Sequence, residues 1–384
     1  MKQTEDGFKA FSENDSALSA YFDLIRFLSA ILVFLSHACR PGFSADVLPN
    51  LEQFGSDVVM VFFVLSGFVI AHSASHRHPG FSDFLLARLA RLWSVAIPAL
   101  LLAAFLEHIG QLYNAELYAQ MNRADSFISP TFLEPMVESS NLVRLFFGIF
   151  FLNDIWRIHI NEFSNAPYWS LCNEFWYYML FGACFYARAW WRVALVALVA
   201  FIGGRQVLVL LPVWLAGVGL YRWRPIVPPR LALLCMIAPI PIYLLGYEFD
   251  CHNLLKCLGL GLPFGSNLSY SFLWPYAVGG LAAVHLIGAA SFVQTSGWLV
   301  RRRQTIRWWA GRTLSIYLFH FPILCFLGAV LPTGWPPVAR GFAILAATAG
   351  AICGLSFVTE DRKTDWRAFL DRTVMGLVLI CGRH

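Results

Sequence analysis

Eleven continuous apolar runs, spread from end to end of a 384-residue chain, limit what it can fold into more than any other feature. They lie near 21 to 38, 57 to 73, 92 to 107, 142 to 153, 168 to 187, 193 to 204, 206 to 221, 231 to 247, 270 to 293, 313 to 331 and 341 to 358. A helix crosses the hydrocarbon core with about 20 mostly apolar residues, or fewer where its ends snorkel. Membrane strands would alternate apolar and polar positions, which these runs do not. With 58% hydrophobic residues, only 13% charged and a mean hydropathy of +0.61, the chain has more apolar surface than a water-soluble core could hide. The expectation is an all-α, polytopic membrane helical bundle embedded in a lipid bilayer.

Basic residues set the topology. If all eleven runs crossed, Arg188/Arg192 and Arg222/Arg224/Arg230 would face opposite to Arg77/Arg88/Arg91, violating the positive-inside bias. Treating 142 to 153 as a short re-entrant or interfacial piece leaves ten spans. Those clusters, Arg301/Arg302/Arg303/Arg307/Arg312 and the Arg362/Lys363/Arg367 tail then share the side of the N-terminus. Both termini are expected in the cytoplasm, with tails 1–19 and 359–384 flanking a single membrane domain. The outward loops would be 39 to 56, 108 to 141 and 248 to 267.

Other classes fall away on composition. The nine cysteines form no CxxC pair and mostly sit in apolar runs, as small buried hydrophobes do. The net charge of +5 is not gathered into one run, so nucleic acid is not an expected partner. Lys2, Glu5, Asp6, Lys9, Glu13 and Asp15 precede the first apolar run, which is not the pattern of a secretory signal peptide.

Ionisable residues inside spans cost about 2.5 to 3.5 kcal/mol each near a helix centre, so each needs a partner or a task. Arg26 and His37 stand eleven residues apart in the first span, three turns along one helix face and about 16 Å by rise. They could mark a path across the membrane; equally, Arg26 could pair with Asp23 and His37 bond a carbonyl at the interface. Arg88 and Arg91 place two guanidiniums on one face of a helix entering from the cytoplasm. That arrangement fits a phosphate or pyrophosphate, or an ordinary positive-inside anchor. In Pro167-Tyr-Trp169-Ser170-Leu-Cys-Asn-Glu174-Phe-Trp-Tyr-Tyr178, Glu174 sits where an aromatic belt needs no acid, and a carboxylate there could orient an imidazole. His320 lies near mid-span, and Pro322 frees a backbone carbonyl that His320 itself could bond. Glu360, just past the last run, reads as a solvated helix end.

In this order, the segments resemble the acyltransferase family 3 membrane proteins, which O-acylate cell-surface sugars. Arg26 and His37 match that family's arginine, ten residues, histidine signature. Val61-Phe-Phe-Val-Leu-Ser66-Gly67-Phe68 matches its second-span FFvLSGF, and Arg88/Arg91 its cytoplasmic RxxR. Trp169-Ser170-Leu171 with Glu174 and Tyr177 or Tyr178 matches WSLxxExxFY, and Ser315, Tyr317, His320 and Pro322 match SxYxxHxP. Glu360 follows as the family's terminal glutamate does. The pieces run over roughly residues 20 to 361. Where the family carries Gly-Val-Asp before FFvLSGF, this chain has Val58-Val59-Met60, its nearest acid being Asp57. The proline after RxxR arrives only at Pro98, and no esterase-like domain follows, as in stand-alone members.

The resemblance implies transfer of an acyl group, acetyl first among candidates, from cytoplasmic acyl-CoA to a hydroxyl of an extracytoplasmic carbohydrate. The setting would be a bacterial inner membrane, with no metal and no permanently bound cofactor. It implies that Arg88 and Arg91 hold CoA phosphates and Arg26 meets the pantetheine arm. His37 would serve as general base or acyl carrier, with Glu174 orienting its ring and Trp169, Ser170, Tyr317 and His320 in support. Two rivals remain: a transporter or flippase whose substrate path these charges line without chemistry, and a scaffold for a glycan-synthesis complex.

Overall fold

The computed structural model describes residues 15–124, 140–156, 158, 160, 162–225, 227–251, 253–254, 273–293 and 296–381. Most of the outward loop expected at 248 to 267, and the acidic stretch 125–139, lie outside the described residues. Among those described the protein is all helix. In chain order the helices are α1 (Asp15–Ala38), α2 (Phe54–Arg77), α3 (Phe81–Ala124), α4 (Asn141–Ile149), α5 (Trp169–Tyr186), α6 (Ala189–Trp223), α7 (Pro229–Ile237), α8 (Pro239–Glu248), α9 (Leu273–Phe292), α10 (Gly297–Ala310), α11 (Thr313–Val330), α12 (Pro337–Val358) and α13 (Lys363–Cys381). Eight stretches among the described residues are long and apolar enough to cross a membrane, so the chain is a polytopic integral membrane protein.

Eight and the ten expected differ in two places. The runs 193 to 204 and 206 to 221 both fall in α6, which is two helices meeting at a break at Gly204 (φ +65°, ψ −165°). That left-handed φ suits glycine, and a Cβ there would press on the Trp156 ring at 2.7 Å. Helix α5, with Asn173, Glu174 and its tyrosines, is too polar to be counted by hydropathy. The helix of the piece 142 to 153 is α4, nine residues from Asn141, about 14 Å long and too short to span.

Two further stretches, expected as a loop and a tail, hold helix. Residues 108–124 are not a loop: α3 continues through them with a break at Asn114 (φ −153°, ψ 79°), whose side-chain Oδ1 accepts from the Leu117 N–H at 3.0 Å and caps the next segment. That segment folds back so that the Tyr118 hydroxyl reaches the Leu106 carbonyl at 3.2 Å. Residues 360–381, within the expected cytoplasmic tail, are helical. Helix α13 binds α3 through Arg367, which donates to the Asp83 carboxylate at 2.6 Å and to its backbone carbonyl at 2.9 Å.

The helices form two compact units. The first takes the residues up to Ile31, Ser56–His72 and Pro212–Thr313. Here α2 and the second half of α6 pack backbone to backbone: a Cβ on Gly67 would collide with the Trp214 carbonyl, and one on Gly217 with that of Val64. Small residues that let two helix backbones touch are a main device of membrane packing. Asp57, buried in this unit, accepts from the Tyr243 hydroxyl and the Trp274 indole, each at 2.9 Å. His285 accepts from the Tyr21 hydroxyl at 2.6 Å through Nε2 and donates through Nδ1 to the Met236 carbonyl at 2.7 Å. The second unit takes Leu32–Gly55, Ser73–Leu211 and the chain from Leu314 onward. It holds all the candidate site residues except Arg26.

Candidate active site

Helix α11 carries the centre of the site, and three contacts hold it. Its first turn leaves backbone N–H groups without intrahelical partners. Glu360 supplies one, accepting from the Ser315 N–H at 3.0 Å and the Ser315 hydroxyl at 2.9 Å. Glu360 is therefore a buried cap from a distant segment, not a solvated helix end. Pro322, lacking an N–H, frees the carbonyl four residues earlier, at Leu318. Asn165 takes it, donating Nδ2–H at 3.0 Å. The Tyr317 hydroxyl donates to the Pro167 carbonyl at 3.1 Å and lies 2.7 Å from the Ser170 hydroxyl at the start of α5.

These anchors leave His320 to bond elsewhere than the freed carbonyl. Its Nδ1 lies 2.9 Å from the Ile316 carbonyl and its Nε2 lies 3.1 Å from His37 Nδ1; His37 Nδ1 is also 3.1 Å from the Val33 carbonyl. The network fixes both tautomers. A nitrogen facing a carbonyl must carry the proton, so His320 donates through Nδ1 and accepts at Nε2. His37 Nδ1–H then serves both Val33 and His320, and His37 Nε2 keeps an unprotonated lone pair. Among the described residues that nitrogen has no hydrogen-bond partner, and it is not sealed from solvent. Phe321 lies tilted against the His37 ring at 4.9 Å, and the guanidinium of Arg40, ion-paired with Glu52 at 2.9 Å, sits 5.3 Å from the Phe321 ring.

The partner of the His37 ring is thus His320, and not Glu174 as expected. Glu174 bonds the Tyr178 hydroxyl, and its charge faces Arg88. Arg88 also stands within electrostatic range of Arg91 and Arg77, and Arg91 within range of Glu360. One chain of bonds holds the Arg88 head group: its Nη2–H donates to His78 Nε2 at 3.4 Å, His78 Nδ1–H donates to Asp83 at 2.6 Å, and Asp83 is gripped by Arg367. The second unit therefore carries two clusters, a histidine pair and a guanidinium group. In the first unit, Arg26 bonds Asp23 at 3.1 Å one turn back. Trp169 is half-buried as the first residue of α5.

The acyltransferase domain model matches residues 19–357, nearly the whole described bundle with both clusters. The chain belongs to the acyltransferase family. It is 26% identical over 206 residues to a protein named O-acetyl transferase from Shigella phage Sf6, a match covering 50% of this chain and 57% of that one. The chain thus spans little more than half the length of this curated relative. No solved structure matches it.

Sequence reasoning missed several residues that hold these two clusters. Asn165, His78, Asp83 and Arg367 act through partners far along the chain, which no local periodicity announces. The proline at 322 was the available signal for Asn165, since a freed carbonyl in a membrane helix needs a donor from somewhere.

Proposed function

We propose that this protein is a membrane O-acyltransferase that moves an acetyl group from cytoplasmic acetyl-CoA to a hydroxyl of an extracytoplasmic carbohydrate. The observation that carries this reading is the His37–His320 pair with its fixed tautomers. His37 Nε2 takes the proton of the sugar hydroxyl; the oxygen attacks the thioester carbonyl; and the tetrahedral intermediate collapses with loss of the CoA thiolate, which receives the proton back from His37. His320 positions the base, since the imidazolium formed in the transition state keeps Nδ1–H directed at His320 and Val33. The acetyl group follows the name of the phage relative. Ten spans with both termini cytoplasmic, in a bacterial inner membrane, would bring Arg88 and Arg91 to the CoA phosphates.

The test is transfer of label from acetyl-CoA to an extracted surface glycan by the purified protein in vesicles. Label should appear on glycan with wild type only. A wild type that moves glycan but leaves the thioester intact is a transporter, and label trapped on His37 without acceptor makes that residue a carrier instead of a base.

The bond chain to α13 adds a second expected result. Arg88→Ala with Arg91→Ala should raise the KM for acetyl-CoA by about 100-fold, two charge-assisted contacts being lost. Arg367→Ala should raise it about tenfold, or about 1.4 kcal/mol, by loosening Asp83 and His78. Turnover at saturating donor should stay near wild type, and Arg367→Lys should recover part of the loss. A fall in turnover with unchanged KM would remove this cluster from donor binding.

A further inference from the structure

Between α4 and α5 the chain makes a buried turn, several of whose side-chain polar atoms are not matched among the described residues. Glu162, Ser164 and Asn165 are 1%, 2% and 1% exposed. Both carboxyl oxygens of Glu162, the Ser164 hydroxyl and the Asn165 Oδ1 have no hydrogen-bond partner among the described residues. Folded proteins pair the large majority of such buried side-chain groups, so four unmatched atoms on a four-residue turn call for partners beyond the described residues.

The surroundings narrow what those partners are. Arg144 is a nearby cation, yet its Nη1 is committed to Glu107 at 3.2 Å and its guanidinium carbon lies over Phe163, 4.2 Å from the ring centre. Burial pushes the Glu162 carboxyl well above its ordinary range, and Arg144 only partly opposes this. A carboxyl kept neutral does not call for a cation. It offers one O–H and one acceptor oxygen, and Ser164 also both gives and accepts. Hydroxyl groups, which do both, complement such a set. The backbone brings Glu162 close against Gly148, where a Cβ would stand 2.9 Å from its Oε2.

The turn is also tied to the histidine pair. The Asn165 N–H donates to the Glu162 carbonyl at 3.2 Å, and its Nδ2–H holds the Leu318 carbonyl two residues before His320. Any ligand seated on Glu162, Ser164 and Asn165 is therefore registered to the helix that positions the base.

We propose that Glu162, Ser164 and the Asn165 carbonyl oxygen form the subsite for the hydroxyls of the acceptor carbohydrate, fixing which sugar is presented to His37. This rests on the reading of the protein as an acyltransferase acting on sugar hydroxyls, and the experiment separates the two. Binding of the methyl glycosides of glucose, galactose, rhamnose and N-acetylglucosamine is measured on the full-length protein in nanodiscs, without donor, for wild type, Glu162→Ala and Ser164→Ala. Ser164→Ala removes one oxygen and tests the site even if Glu162→Ala does not fold.

For the glycoside bound best, each variant should weaken binding at least about tenfold. The KM for that glycoside in acetyl transfer should rise alike, while acetyl-CoA hydrolysis without acceptor stays at the wild-type rate. Binding of no glycoside by wild type, equal binding by wild type and Ser164→Ala, or equal loss of donor hydrolysis and acceptor binding would overturn the subsite. Equal binding with ordered water on Glu162 would mean that water alone fills the turn. If wild type leaves acetyl-CoA intact yet loses glycoside binding on either substitution, the subsite stands and the acyltransferase reading falls.

Discussion

His37→Ala removes acetyl transfer to glycan by about 10²- to 10⁴-fold, the range for loss of a positioned general base, while acetyl-CoA still binds with wild-type affinity. The separation follows from the structure, because the guanidinium cluster of Arg88 shares no bond with the histidine pair. The sharper expectation concerns His320. It accepts the His37 Nδ1–H and is itself directed by carbonyls of its own helix, so its replacement should act through the tautomer of His37. With His320→Ala, His37 keeps only the Val33 carbonyl, and its ring loses the partner that steadies the imidazolium. Turnover should fall about 10- to 100-fold at unchanged acetyl-CoA KM. His320→Gln, whose amide oxygen can accept from His37, should regain a good part of that loss. A purely structural histidine would show no such rescue, and equal activity of His320→Ala and His320→Gln would remove the positioning role. Steady-state transfer of labelled acetyl groups measures all three variants.

How much of this was legible in the sequence depends on whether the signal was local. The apolar runs gave the helices because continuous hydropathy needs no partner to be read. Arg26, His37, Glu174 and His320 stood out because ionisable groups are costly in spans, Arg88 and Arg91 as two guanidiniums on one helix face, and Tyr317 through the family motif. A backbone carbonyl for His37 was legible, as found at Val33, but most of the partners across the fold were not. Glu174 lies among aromatics facing outward by sequence, yet its bond is to Tyr178 and its charge faces Arg88. Glu360 looked solvated because hydropathy ends at Val358, whereas the open N-terminus of α11 claims it from 45 residues away. The C-terminal residues looked like a charged tail because Lys363, Asp365, Arg367 and Asp371 break the apolar pattern. Yet Arg367 bonds Asp371 along α13 and Asp83 across to α3, so charges that end a span also dock a helix. Residues 115–124 looked like a loop for their polarity, and Asn114 turned that polarity into a cap.

The FFVLSGF segment offers the other large effect, on stability. Gly67 and Gly217 are reciprocal: each would drive its Cβ into a backbone carbonyl of the opposite helix, Trp214 in one case and Val64 in the other. A carbonyl held in a helix cannot swing aside as a side-chain tip can, so the helices themselves must part. Alanine ordinarily favours a helix over glycine by about 1 kcal/mol. Overpacking costs about 1 to 3 kcal/mol, and parting the helices also loosens the Trp214 indole from the Ser66 hydroxyl at 3.2 Å. The clash should win. Gly67→Ala and Gly217→Ala should each lower the thermal midpoint in detergent by several degrees, and Gly67→Val should leave no protein that survives extraction. Gly280, within α9, supplies the control, since nothing lies within 4 Å of where its Cβ would be. Gly280→Ala should hold the midpoint or raise it, because there only helix propensity acts. If Gly67→Ala were as stable as Gly280→Ala, the close approach of α2 and α6 would not be what holds the first unit. Since the measurement is melting and not turnover, it tests the role of the LSGF glycine independently of any acyl transfer.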